Sequence, residues 1–149
     1  MEERGVFLMF VSEIMSRGVV ALSPDDSVES AARLLAHHGV GALPVCGKDG
    51  RVRGMVTDRD IAVRCVAADL PPDTPVRSLM SRPVHTIDAR ADVREAALLM
   101  AEKQVRRLPV VNQGRLCGML SLGDVAKSHT YGMEASQALT EISLPTRDY

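Results

Sequence analysis

The sequence predicts a mixed α/β (α+β) domain made of two tandem copies of one unit, and two observations carry that expectation. First, the chain repeats itself: Val11 to Ala62 aligns with Val76 to Ala126 at an offset of about 65 residues, with a one-residue gap in the turn before Gly50 and Gly114. About twenty aligned positions are identical, among them Met15/Met80, Ala31/Ala96, Leu43-Pro44-Val45/Leu108-Pro109-Val110, Gly54-Met55/Gly118-Met119 and Asp60/Asp124. Second, each copy passes from a helical apolar period to two short apolar runs joined by a turn, the pattern of a helix followed by a hairpin. Two copies are too few for an extended solenoid, in which each unit leans on several neighbours. They imply a closed module in which each copy covers the other's apolar face about a pseudo-two-fold axis, leaving two related clefts.

The elements follow in the same order in each copy. Val28, Ala31, Ala32 and Leu35 fall at i, i+3, i+4 and i+7, an amphipathic stripe repeated by Val93, Ala96, Ala97 and Met100. Asp26 with Glu29 has capping-box spacing at the first helix start, and Asp92 with Glu95 stands in the corresponding place. Gly39 supplies a stop for the first helix. Leu43 to Cys46 and Leu108 to Val111 read as strands with a proline near the entrance, where a missing donor is tolerated. KDG (Lys48 to Gly50) and NQG (Asn112 to Gly114) are turn sequences leading into second strands at Val52 to Val56 and Leu116 to Leu120. A further helix is expected from Thr57 and from Ser121. The organisation is therefore an N-terminal extension over 1–10, a first repeat over 11–67, a Pro-rich linker over 68–75, a second repeat over 76–128 and a tail over 129–149. Gly132 to Ser143 has the makings of a short helix with a weak apolar face.

Composition narrows the function. At 149 residues and 46% hydrophobic content the chain is one domain's worth with a core of its own, and 3% aromatic content makes that core aliphatic. A net charge of −1 leaves no electrostatic footprint for nucleic acid, and the absence of Trp removes a base-stacking surface. No apolar run approaches membrane-spanning length, and the opening MEERGVFLMFV is a poor signal peptide. Three widely spaced cysteines, Cys46, Cys65 and Cys117, fit reduced thiols in a cytoplasmic protein. His37, His38, His85 and His129 lack metal-ligand spacing, so no metal site is expected. Neither a nucleophile motif nor a phosphate-binding loop appears, so the chain is read as a non-enzyme with no required cofactor.

The sharpest chemical signal lies where the second strand of each copy turns into the last helix: GMVTDRD (Gly54 to Asp60) and GMLSLGD (Gly118 to Asp124). Thr57-x-x-Asp60 and Ser121-x-x-Asp124 are capping boxes, in which the hydroxyl accepts from a helical N–H and the acid reaches back. The same geometry suits a nucleotide. Free N–H groups at a helix start favour phosphate, and a carboxylate one turn in can grip vicinal ribose hydroxyls.

At these residues the chain resembles the cystathionine β-synthase (CBS) domain pair, or Bateman module. The GALPV and RRLPV segments with GMVTDRDIA and GMLSLGDVA carry the resemblance, which covers about Val11 to Lys127. It implies a β-α-β-β-α fold for each repeat, two sheets packed together, and homodimers shaped as flat discs. It further implies binding of AMP, ADP, ATP, NAD or S-adenosylmethionine in the clefts between the repeats. By resemblance, Asp60 and Asp124 hold ribose, and Thr57 and Ser121 face ribose or phosphate. By the same resemblance, backbone groups and apolar side chains around Val20-Ala21, His85-Thr86, Ala42-Leu43-Pro44 and Arg107-Leu108-Pro109 hold the base.

The copies are unequal. Arg106-Arg107 replaces Gly41-Ala42, and two guanidiniums there suit phosphate oxygens. Arg59 sits in the first copy beside Asp58, whose charge opposes phosphate; Leu122 and Gly123 stand there in the second. The function expected is a regulatory module that senses an adenosine-containing ligand, with magnesium as an accompanying ion, and acts on an unidentified regulated protein. The alternative is a ligand-free dimerisation or scaffold module.

Overall fold

The computed structural model describes residues 9–82, 84–128 and Ile142. The expected helix at Gly132 to Ser143, His129 and most of the N-terminal extension lie outside the described residues. In chain order the elements are α1 (Val11–Ile14), α2 (Val28–His38), β1 (Ala42–Cys46), β2 (Val52–Thr57), α3 (Asp58–Ile61), β3 (Ile87–Asp88), α4 (Val93–Lys103), β4 (Arg107–Asn112), β5 (Arg115–Ser121) and α5 (Leu122–Ala126). Each copy thus carries the mixed α/β order anticipated from its periodicity, with strands reaching one residue further than the apolar runs alone indicate.

The described residues form two compact units, and neither coincides with one contiguous copy. The first-copy unit is Val20–Val84 with Gly114–Leu116; the second-copy unit holds residues 9–19, 85–113 and 117–128. In the first, β1 and β2 pair antiparallel with Ala42 opposite Thr57 and Pro44 opposite Met55. Leu22 adds a parallel rung beside Val45, giving its N–H to the Pro44 carbonyl and accepting from Cys46, both at 2.8 Å. Helix α2 starts at Ser27, not at Asp26: the Ser27 hydroxyl accepts the Ser30 N–H at 3.0 Å. The expected Asp26–Glu29 box does not form, because Asp26 closes the preceding turn by accepting from the Ser23 N–H at 2.8 Å. Glu29 pairs with Arg33 at 2.9 Å instead. The helix ends as expected at Gly39, which takes the left-handed conformation at φ 64°. Val28, Ala31 and Leu35 are buried, whereas Ala32 is exposed because it lies past the edge of that stripe. Beyond Ile61 the helix continues as a π turn over Ala62–Val66.

In the second-copy unit β3 runs parallel to β4, with Ile87 opposite Val110, and β5 completes a three-stranded sheet. The β4–β5 turn places Gln113 and Gly114 at φ 54° and 81°, the left-handed pair that matches the twist of a two-residue hairpin. Helix α4 is capped by Asp92, which accepts the Arg94 N–H at 3.1 Å, and it buries Val93, Ala96, Ala97 and Met100.

The lead-in of each copy belongs to the core of the other copy's unit. Val11 is fully buried among Val93, Ala96, Leu108 and Leu120, while Val76, Leu79 and Met80 join Leu22, Val28, Leu43 and Val56. Ser16 donates to the Met119 carbonyl and Ser81 to the Met55 carbonyl, both at 2.8 Å. The Pro-rich segment before the second lead-in runs along the start of α2, where the Val28 and Glu29 N–H groups donate to Thr74 and Pro72 carbonyls at 2.8 and 3.0 Å.

The glycine that opens each GM motif permits these pairings. A Cβ on Gly54 would meet the Ser81 oxygen at 2.9 Å and the Met80 sulfur at 2.8 Å; one on Gly118 would meet the Ser16 oxygen at 2.8 Å and the Met15 sulfur.

Candidate functional site

Both predicted capping boxes form with closely matching geometry. Thr57 Oγ1 accepts the Asp60 N–H at 3.0 Å, while the Thr57 N–H donates to Asp60 Oδ2 at 2.9 Å. Ser121 Oγ and Asp124 repeat this at 3.0 and 2.9 Å. Local sequence explains the arrangement. The hydroxyl residue ends its strand in an extended conformation, and an acid three residues on folds back over the first helical turn. Ser121→Ala, which removes one half of the box, is expected to lower unfolding stability by about 1 kcal/mol, read as a shifted urea midpoint.

In the first-copy unit the register sets Thr57 opposite Ala42, so the strand segment Ala42-Leu43-Pro44 lies beside the box. The Asp58 N–H donates to the Gly41 carbonyl at 3.0 Å, joining the start of α3 to the entrance of β1. Val20 and exposed Ala21 lead into Leu22, whose hydrogen bond to Pro44 carries them to the same strand. Arg59 is exposed on α3, next to Asp58.

The second-copy unit repeats the plan. The Leu122 N–H donates to the Arg106 carbonyl at 2.8 Å, tying α5 to the β4 entrance. Leu108 and Pro109 are buried, Arg106 and Arg107 are exposed, and half-buried His85 and Thr86 enter β3 alongside β4. Each set of candidate residues therefore meets within its own unit, on adjacent strand ends and one helix start.

The two acids differ in a way that escaped the sequence reading. Asp60 is 9% exposed, and its Oδ1 lies 3.8 Å from the Arg64 Nε. Arg64 also donates to the Leu79 carbonyl at 3.3 Å. Among the described residues no cation pairs with Asp124, so the oxygen left over from its cap is available to another donor. The i, i+4 spacing of Asp60 and Arg64 was the available signal for the pair.

Two of the thiols, Cys46 and Cys117, are shifted away from the thiolate form. Burial pushes the Cys46 thiol up, aided by Asp49, and burial pushes the Cys117 thiol up against the lowering influence of Arg17. Among the described residues no cluster of three or more His, Cys, Asp or Glu side chains has metal-binding geometry. No described helix is long and apolar enough to cross a membrane.

Comparison with known proteins accords with the repeated fold. The family model described as "CBS domain" matches twice, over residues 11–66 and 76–130. A CBS domain-containing protein of Bacillus subtilis, YhcV, is 40% identical over 133 residues, 89% of this chain and 94% of its own. The crystal structure of Hypoxic Response Protein I with two coordinated zinc ions superposes with a TM-score of 0.75 at 38% identity, covering 80% of this chain and 98% of that one. A CBS domain protein of Pyrobaculum aerophilum complexed with AMP superposes with a TM-score of 0.76 at 30% identity, covering 86% of this chain and 98% of its own. Two matched copies, each with a helix, an antiparallel strand pair and the same capped acid at the start of a second helix, make this chain a member of the CBS domain family.

Proposed function

We propose that the chain is a regulatory CBS pair that binds adenosine-containing ligands at the Thr57–Asp60 and Ser121–Asp124 junctions. The observation that carries this reading is the carboxylate of Asp124. One of its oxygens is held by the cap, the other has no cationic partner among the described residues, and it stands beside a strand end bearing Arg107. That arrangement suits ribose hydroxyls at the acid and phosphate at the guanidinium. The AMP complex of the Pyrobaculum relative supports the same ligand class.

The two sites then have unequal affinity. Ribose hydroxyls at Asp60 must compete with Arg64, whereas those at Asp124 need not. Ligand binding regulates only if it favours one state of the module over another, since equal affinity for both states shifts nothing. A thermal-shift and calorimetry panel of AMP, ADP, ATP, NAD and S-adenosylmethionine, with and without magnesium, tests the proposal. Saturable binding by at least one member is expected, with the tighter site lost in Asp124→Ala. No saturable binding by any member would favour the scaffold reading.

A homodimer is part of either reading. Val63 and Val66 on the π turn are 51% and 71% exposed, and Leu70 follows at 42%. Clustered apolar exposure of this kind marks an interface. Val125, near the corresponding place in the second copy, is by contrast fully buried in its own unit's core. Light scattering at tens of micromolar should return twice the chain mass; a monomer mass would remove the dimer from the proposal.

A further inference from the structure

A cavity of about 450 Å³ opens in the second-copy unit at the end of the sheet remote from Ser121 and Asp124, by the β4–β5 turn. Its size falls within the roughly 300–1,000 Å³ typical of small-molecule sites. Arg17 and Arg90 line it from two different segments, with the side chains of Asn112 and Gln113 at the turn and Met15 and Cys117 as its less polar wall. Arg17 uses one Nη2 donor on the Ser12 carbonyl at 3.1 Å. The Arg90 guanidinium has no carboxylate partner among the described residues. Asp88, at the end of β3 two residues earlier, accepts the Arg90 backbone N–H at 2.8 Å. No acidic residue lines the cavity.

The repeat supplies an internal comparison. Met15 and Arg17 correspond to Met80 and Arg82, Ser12 to Arg77, Arg90 to Asp25 and Cys117 to Arg53. In the first-copy unit two of the corresponding cations, Arg77 and Arg53, are neutralised within the protein. Arg77 pairs with Asp25, and Arg53 and Arg51 both pair with Asp49, at 3.2 and 3.8 Å. Both neutralising acids are missing from the second copy. Asp25 has become Arg90, and Asp49 falls in the one-residue gap of the alignment. The place of the internal Arg77–Asp25 ion pair is thus taken by Ser12 and a second guanidinium, Arg90, beside an arginine that both copies keep, Arg17 in this one and Arg82 in the first.

We infer that this cavity is an anion site, separate from the nucleotide sites, that takes a small metabolite through a carboxylate or phosphate group. Two guanidiniums from separate segments give charge-assisted, directional donors to such an oxyanion, and the turn carboxamides add neutral donors. Met15 and Ala89 offer apolar contact to the rest of the molecule. The inference does not depend on the nucleotide proposal, because no residue is shared between the two sites.

Calorimetric titration of the full chain with inorganic phosphate and, separately, succinate, at constant ionic strength set by chloride, tests it. At least one anion is expected to bind saturably, and which one does so identifies the group recognised. Arg90→Asp, which restores the acid of the first copy, should weaken that binding at least about tenfold, with Arg17→Gln weakening it several-fold. Arg107→Ala, which removes the guanidinium proposed for nucleotide phosphate, should leave it unchanged. Neither anion saturating, or binding that survives both arginine substitutions, overturns the inference. So does phosphate binding that is lost in Arg107→Ala and retained in Arg90→Asp, since the anion would then occupy the nucleotide site.

Discussion

Asp124→Ala is expected to weaken adenosine-ligand binding at the second-copy site at least about tenfold, while Asp60→Ala has a smaller effect confined to the first-copy site. A hydrogen bond to a charged group contributes about 1.5–3 kcal/mol, and about 1.4 kcal/mol is tenfold in affinity. A carboxylate holding two ribose hydroxyls therefore has enough to dominate binding. The asymmetry follows from Arg64: with its guanidinium 3.8 Å from Asp60, the first acid already has a partner that the ligand must share or displace. Removing Asp60 also leaves Arg64 unpaired beside the site, where it can meet ligand phosphate and offset part of the loss. Arg107→Ala should cost more for AMP or ATP than for adenosine, because its proposed partner is phosphate. A purely capping role gives a different result. Both Asp variants would then lose only some thermal stability, with affinity per folded molecule unchanged. Calorimetry on each folded variant separates these outcomes, and parental affinity in both Asp variants would show that the boxes are caps alone.

Gly118→Ala is expected to destabilise the protein by about 1–3 kcal/mol, the usual cost of forcing atoms into a filled space. The added Cβ would sit 2.8 Å from the Ser16 carbonyl oxygen, a backbone atom held by the mutual Ser16–Met119 hydrogen bonds at 2.8 and 3.0 Å. Met15 can move its flexible thioether; Ser16 cannot retreat without losing that pairing. Gly54→Ala should behave alike through Ser81. Gly123→Ala is the control, because the nearest atom to its Cβ is the Ser121 hydroxyl at 3.6 Å. There a helical glycine is replaced without a clash, and stability should hold or rise by up to about 1 kcal/mol. Equal denaturation midpoints for Gly118→Ala and Gly123→Ala would refute the close-approach explanation.

These two predictions draw on different levels of the molecule. The capping boxes were readable as T-x-x-D and S-x-x-D because their hydrogen bonds span three residues, and the structure reproduces both in full. The helical stripes were readable for the same reason, apart from Ala32, whose exposure depends on what α2 packs against. The start of α2 was misplaced by one residue. Asp26 and Ser27 are both competent caps, and the choice between them turned on the Ser23–Asp26 turn. The GM glycines were visible as a repeated motif, but their purpose was not.

The sequence by itself determined the duplication, the order of elements in each copy, the strand-to-helix junctions with their capped acids, and thereby membership of the CBS family. All of these arise from periodicities and hydrogen bonds spanning a few residues, which leave their mark on consecutive positions. Only the tertiary structure decided that the lead-ins are exchanged, with Val11 buried in the second-copy unit and Val76 in the first. It also decided that Arg17 and Arg90 face one cavity while Arg77 is neutralised by Asp25. Those outcomes join residues tens of positions apart, Ser16 with Met119 and Asp25 with Arg77. Which distant partner wins is settled by shape and charge in the packed core, and no local pattern records it.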